Sequence, residues 1–115
     1  MGVSYAWEKF FSAVHGAIGS ERSPQKRLAN AYVFDIIHVA REDVPNAEIW
    51  QRIQKLTDAV TCKPARGDEG TVEATTSTMS AEEAAKWLEE IVSLFSEIAE
   101  AYGASGPSFA EEPQT

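Results

Sequence analysis

The sequence predicts an all-α fold, a four-helix bundle with a long loop before the last helix. Three observations lead to this prediction. Four segments repeat their apolar residues at helical spacing, two of these segments begin with clear capping signals, and no run alternates in the way a strand does. With 115 residues, the chain has room for one domain, which we place at residues 1–103.

The first two helices are predicted at about 4–18 and 24–41. Projected at 100° per residue, the first has one apolar arc: Ala6, Trp7, Phe10, Phe11, Val14, Ala17 and Ile18. The second begins with Ser23 as the N-cap and Pro24 at the first helical position. Its apolar arc is wide, which predicts the most buried helix: Leu28, Ala29, Tyr32, Val33, Ile36, Ile37, Val39 and Ala40.

The third and fourth helices are predicted at about 46–61 and 81–102. The third has a single apolar stripe, typical of an outer helix: Ile49, Ile53, Leu56 and Val60. The fourth begins at a capping box formed by Ser80 and Glu83, and Gly103 is the expected residue after its end. Its predicted buried stripe is Trp87, Leu88, Ile91, Leu94, Phe95, Ile98 and Tyr102.

Two segments have no helical period. Residues 62–79 contain almost no large apolar side chain, and we predict a flexible loop there. Residues 104–115 are predicted to form a disordered tail.

Composition excludes several classes of function. Cys62 is the single cysteine, which excludes a disulfide within the chain and favours a reduced compartment, where its thiol is inert. No apolar run approaches the ~20 residues of a membrane span, and the first residues lack the pattern of a signal peptide. We therefore expect a cytoplasmic protein.

The charge is unevenly distributed along the chain. Its net value is −8, of which residues 1–66 carry +2 and residues 67–115 carry −10. This balance disfavours direct binding to the phosphates of nucleic acids. It also points to an electrostatic role for one face of the domain or to a solubilising tail.

Phe34 is the residue most out of place in the predicted second helix. It falls within the polar arc, between Arg27, Asn30, His38 and Arg41. In a monomer this aromatic ring is exposed unless the loop or the tail covers it. An aromatic residue rimmed by arginines has the composition of an interface hot spot. These residues predict a non-enzymatic protein–protein interaction domain that binds a protein partner or a second copy as a homodimer.

The fourth helix carries an acidic face formed by Glu82, Glu89, Glu97 and Glu100. A row of carboxylates on a rigid helix can imitate a phosphate backbone, as small acidic inhibitors and toxin-neutralising immunity proteins do. The finer hypothesis is therefore a small acidic inhibitor or an immunity-type regulator.

The alternative is a metal-dependent or nucleotide-processing α-helical enzyme. Asp35 and His38 share one side of the predicted second helix, and Glu8 of the first helix lies near their level. A di-metal site requires about six such ligands from four helices, and no second helix has a matching pair. The sequence thus predicts no catalytic residue and no cofactor, and these three residues are only weak candidates for metal binding.

Overall fold

The computed structural model describes residues 2–65, 67 and 70–105 of the chain, and no strand occurs within these ranges. The predicted all-α fold is confirmed. In the described residues the α-helices are α1 (Val3–Ser12), α2 (Pro24–Phe34), α3 (Ala47–Val60), α4 (Gly70–Thr76) and α5 (Ala81–Ser105). A four-helix arrangement is compatible with these elements, with α4 as an additional short helix.

The first helix changes its winding before it ends. After α1 the chain continues as a π-helical segment at Ala13–Ile18, so that the two together cover residues 3–18. A side chain at Gly19 would place its Cβ 3.1 Å from the carbonyl oxygen of His15. Because Gly19 has no side chain, the backbone can pass close to this carbonyl oxygen where the helix ends, as the predicted stop at Gly19-Ser20 requires.

Three helices begin at polar capping residues. The side-chain oxygens of Ser23, Asn46 and Ser80 each accept a hydrogen bond from the backbone amide three residues later, at 3.2, 2.9 and 3.0 Å. Each bond satisfies one of the amide groups that a helix start leaves without a partner. These caps explain why α2, α3 and α5 begin close to the positions that the sequence predicts.

The core lies where α1, α2 and α5 pack against one another, while α4 packs against α2 and α3. The hydroxyl groups of Tyr32 and Thr57 are 2.9 Å apart and connect α2 with α3. The largest fully buried apolar side chains come from the long helices and from the 3-10 turn after α2: Phe10, Leu28, Ile36, Leu56, Val60, Ile91, Leu94 and Ile98.

The predicted flexible loop at 62–79 contains the helix α4, so that prediction is wrong for Gly70–Thr76. Thr75 is buried in α4, and its hydroxyl accepts a hydrogen bond from the amide of Lys63 at 2.9 Å. It also contacts the carbonyl oxygen of Thr71 at 2.8 Å. Lys26 of α2 reaches Glu73 at 3.2 Å. Threonine hydroxyls and an ion pair thus help to attach the segment, and a search for large apolar residues does not detect such contacts.

The predicted end of the last helix is also displaced. Gly103 does not adopt a positive φ, and α5 continues through it to Ser105. A glycine ends a helix when it takes the left-handed conformation, which is not the case at this position. The predicted tail at 104–115 therefore begins with helical residues, and its remainder, 106–115, lies outside the described residues.

The second predicted helix is wrong beyond Phe34. In place of one helix at 24–41, the chain forms α2 and then two short 3-10 turns at Ile36–His38 and Arg41–Asp43. Val39 and Ala40 between these turns are extended. This interruption separates His38 and Arg41 from the helix that carries the other residues predicted to bind a partner.

Candidate functional site

The interruption of the second helix is stabilised by Asp43. One carboxylate oxygen of Asp43 accepts a hydrogen bond from the amide of Ala40 at 2.9 Å, and the other accepts one from the amide of Gly2 at 2.8 Å. In a continuous helix the Ala40 amide would bind the carbonyl oxygen of Ile36. The aspartate thus replaces a helical hydrogen bond with a side-chain bond, which is how such residues compete with helices.

The electrostatics of Asp43 agree with this role. Asp43 is only 3% exposed, and burial alone would raise the pKa of its carboxyl group. The hydrogen bonds from the amides of Ala40 and Gly2 act in the opposite direction and contribute to a pKa below the ordinary value. The folded chain therefore favours the ionised form of this carboxylate.

Large apolar side chains are exposed where α2 ends. Val33 is 42% exposed, Phe34 is 63% exposed and Ile37 is 50% exposed. We call these three residues the α2-end surface. The sequence pattern correctly indicated an exposed Phe34, but it placed Val33 and Ile37 in the buried arc. The placement of Ile37 is wrong because the arc assumes a helix that continues past residue 35, whereas Val33 is exposed although it lies within α2.

The predicted rim of Phe34 is only partly present. Asn30 lies on α2 and is half-buried. Arg27 donates hydrogen bonds to the carbonyl oxygens of Arg22 and Ile18, at 3.0 and 3.3 Å, so its guanidinium group holds the turn between the first two helices. His38 and Arg41 are exposed but belong to the two 3-10 turns. The single helical face that was to unite these five residues does not form.

Three surface hollows surround the end of α2. One, of about 470 Å³, lies between α2 and α4 and is lined in part by Tyr32, Val33 and Val72. A second, of about 400 Å³, lies between Ile37 and the α3 residue Trp50. A third, of about 340 Å³, lies between α2 and the π-helical segment and is lined by Ser12, Gly16, Ala17, Ser20, Arg22, Asn30, Phe34 and Asp35. The α2-end surface therefore contains projecting apolar side chains with depressions beside them.

Asp35 is the residue of this region that sequence analysis placed incorrectly. It was a weak candidate for metal binding on a polar arc, and in the fold it is only 8% exposed. The backbone at Asp35 leaves the helical conformation, with φ −128° and ψ −62°, which turns the side chain away from a helical position. Apolar residues keep their helical spacing through Asp35, so the periodicity of the sequence does not mark this break.

The four glutamates of the predicted acidic face on α5 do not all have the same surroundings. Arg52 of α3 forms a two-pronged contact with Glu90 at 2.9 and 3.1 Å, and it also pairs with Glu97. The hydrogen bonds from Glu90 and then Glu97 raise the pKa of the Arg52 guanidinium above its ordinary value. Glu97 therefore joins α3 to α5. The remaining members of the predicted face, Glu82, Glu89 and Glu100, are exposed.

A second group of rings, some half-buried and some exposed, covers the contact between α1 and α5. Trp7 stacks on Phe11 with ring centres 5.0 Å apart and on Tyr102 at 5.6 Å, while Phe95 lies 6.2 Å from Trp7. His15 lies 4.3 Å from the Phe11 ring. We call these five residues the aromatic cluster. Its rings contact one another, whereas Phe34 has no aromatic partner in the described part of the chain.

The metal candidates are not brought together. Glu8 and His38 are exposed on different elements while Asp35 is buried. Among the described residues, no three histidine, cysteine, aspartate or glutamate side chains are grouped so that they could hold a metal ion. Cys62 is an exposed free thiol.

Comparisons with known proteins add no relative. The chain matches no protein-family model, no curated protein and no solved structure. No described helix combines the length and the apolar character needed to cross a membrane.

Proposed function

We propose that this domain is a non-enzymatic protein–protein interaction module that binds its partner through the α2-end surface. The observation that supports the proposal is the exposure of Val33, Phe34 and Ile37 within five consecutive residues. Single exposed apolar residues are common on proteins, but a group of large ones beside apolar depressions is typical of interaction sites. The surrounding hollows could receive side chains of the partner, as the pockets around hot spots do.

The aromatic cluster is a weaker candidate for the same role. Its rings already contact one another across α1 and α5, so part of their apolar surface is used to hold two helices together. Truncation of one of these rings is expected to affect folding as well as binding. No described residue makes such a ring contact with Phe34, so its exposed ring is available for association.

The finer form of the proposal is a small acidic inhibitor or an immunity-type regulator. Its support is the net charge of −8 together with the exposed carboxylates Glu82, Glu89 and Glu100 on α5. In this form the acidic face attracts a basic partner over several ångströms, and the α2-end surface supplies the close contact. The rate of association should then fall as the salt concentration rises.

The proposal is tested by comparing what the wild-type domain and its variants capture from a lysate of the source cell. We expect a protein that is retained by wild type and lost by the double variant Phe34→Ala, Ile37→Ala. The matched control is Val92→Ala, because Val92 is 44% exposed on α5, outside the α2-end surface. A protein retained equally by all three forms would argue against binding through the α2-end surface.

Self-association is tested on the same three forms. If the partner is a second copy, sedimentation should give a dimer for wild type and Val92→Ala, and a monomer for the double variant. Melting temperatures must be measured at several protein concentrations, because the stability of a dimer depends on concentration. A dimer that survives the double variant would place the homodimer contact elsewhere on the domain.

The enzyme alternative has a different test. Stoichiometric iron, manganese or zinc in the purified protein would favour a metal-dependent or nucleotide-processing enzyme over an interaction module. The described residues supply no ligand group that would carry this alternative further.

A further inference from the structure

The hollow between α2 and the π-helical segment contains a buried acid. Its walls on the π-helical side are small residues, including Gly16, Ala17 and Ser20, and on the α2 side are Asn30, Phe34 and Asp35. The small residues leave the space open, and its volume of about 340 Å³ falls within the range of ligand pockets, about 300–1,000 Å³. Segments of π-helix occur frequently beside functional sites.

The Asp35 side chain has no partner among the residues that the structure describes. It is 8% exposed, and within the described ranges its carboxylate accepts no hydrogen bond and forms no ion pair. Buried polar groups in proteins are almost always hydrogen-bonded, so an exception requires an explanation. Asp43, buried to a similar degree, has both of its carboxylate oxygens bonded to amides. The fold therefore uses one buried aspartate and leaves the other available.

The chemistry of the hollow identifies what it would bind. A carboxylate without a partner accepts hydrogen bonds most strongly from a cation. The exposed Phe34 ring on the rim can attract the same cation through its face. We propose that the hollow receives a lysine or arginine side chain of a partner protein, with Asp35 as its acceptor and Phe34 beside it. This inference rests on the proposed function, because the hollow adjoins the α2-end surface.

The charge of the chain favours a different protein over a second copy as the source of this side chain. Two copies with a net charge of −8 each repel one another, whereas a basic partner is attracted. Arg22 on the rim is an internal competitor of the same chemistry, yet it forms no ion pair with Asp35. Arg22 is exposed, so solvent weakens its repulsion of an incoming cation.

The test uses amino-acid derivatives as probes and therefore requires no knowledge of the partner. Nα-acetyl-lysine methylamide, whose side-chain ammonium group is free, is titrated into the 15N-labelled full chain at low salt. Nα-acetyl-norleucine methylamide is the control. The norleucine derivative has the same aliphatic chain without the ammonium group. We expect saturable shifts of the amide signals of Gly16, Asn30, Phe34 and Asp35, with a dissociation constant on the order of 1 mM, for the lysine derivative alone. Equal shifts from both derivatives would overturn the proposal.

A pair of variants separates Asp35 from its neighbours. Asp35→Asn keeps the shape of the side chain and removes its charge, and it should weaken the binding of the lysine derivative about tenfold or more. Arg22→Ala removes the internal competitor and should leave the binding unchanged or strengthen it. If Arg22→Ala and Asp35→Asn lower the melting temperature equally and non-additively, the two residues form an internal ion pair and the proposal is wrong.

The outcomes distinguish this inference from the proposed function. If wild-type protein does not bind the lysine derivative, the hollow is not a cation site, and the proposal for the α2-end surface is unaffected. A captured partner that binds the double variant Phe34→Ala, Ile37→Ala as well as it binds wild type overturns the α2-end surface, whatever the lysine derivative does. The comparison of the two derivatives uses wild-type protein, so it decides the question even if Asp35→Asn fails to fold.

Discussion

The two buried aspartates that flank the interrupted second helix have different surroundings. Asp43 accepts hydrogen bonds from the amides of Ala40 and Gly2, two segments that are far apart in sequence. Asp35 is almost as deeply buried, but no described residue donates a hydrogen bond to its side chain. The hydrogen bonds of Asp43 stabilise the fold. Burial of the Asp35 carboxyl group without such bonds lowers the free energy of unfolding, and folding alone does not explain why the chain has it. The difference separates a residue kept for structure from one available for binding.

The largest effect on stability is expected at Asp43. Asp43→Asn removes the charge from two charge-assisted hydrogen bonds and turns one acceptor into a donor facing an amide. We expect a loss of about 2 kcal/mol in the free energy of unfolding, measured by urea denaturation. The exposed Asp58→Asn is the control and should stay within about 0.5 kcal/mol of wild type. If Asp43→Asn is as stable as this control, Asp43 does not stabilise the fold and its contrast with Asp35 is lost.

The same contrast predicts a dependence on pH. The pKa of Asp43 lies below its ordinary value of 3.8 in the folded chain, so its contribution to stability is fully present above that ordinary value. The contribution disappears as the pH falls through the folded pKa. The stability difference between wild type and Asp43→Asn should therefore shrink in acid, which urea denaturation at pH 7 and at successively lower pH would measure. A difference that stays constant into acid would contradict the assignment.

A smaller effect of opposite sign is expected at Asp35. Asp35→Asn removes a buried carboxyl group that has no partner among the described residues, so the free energy of unfolding should stay the same or increase by up to about 1 kcal/mol. The measurement is a denaturation curve recorded beside that of Asp43→Asn. A clear loss of stability would mean that Asp35 supports the fold, and the two aspartates would then be alike.

Local signals in the sequence predicted the fold class and the starts of several helices. Ser23 and Ser80 act within their own helical turns, so their capping bonds can be inferred from neighbouring residues alone. Helix α4 could not be predicted in this way. Its buried face consists largely of threonines, which look like loop residues until their hydroxyls find partners such as the amide of Lys63.

The candidate site was predicted only in part, for a physical reason. Phe34 was recognised because a projection at helical spacing places this aromatic residue among polar ones. The exposure of Ile37 depends on the end of α2 at Phe34, and the turns after this end are held in part by the bond between Asp43 and Gly2, 41 residues apart. Periodicity assumes that a helix continues where its pattern does, so it cannot detect a break made by a distant contact.

The central claim is that Phe34 serves association and not folding. The most direct test measures the affinity of Phe34→Ala for the captured partner and its melting temperature at several concentrations. We expect the melting temperature of the free domain to stay near that of wild type, because the ring is 63% exposed. The affinity should fall about thirtyfold, the loss of an anchor worth ~2 kcal/mol. A sharply lowered, concentration-independent melting temperature with unchanged affinity would contradict the claim and make Phe34 part of the core.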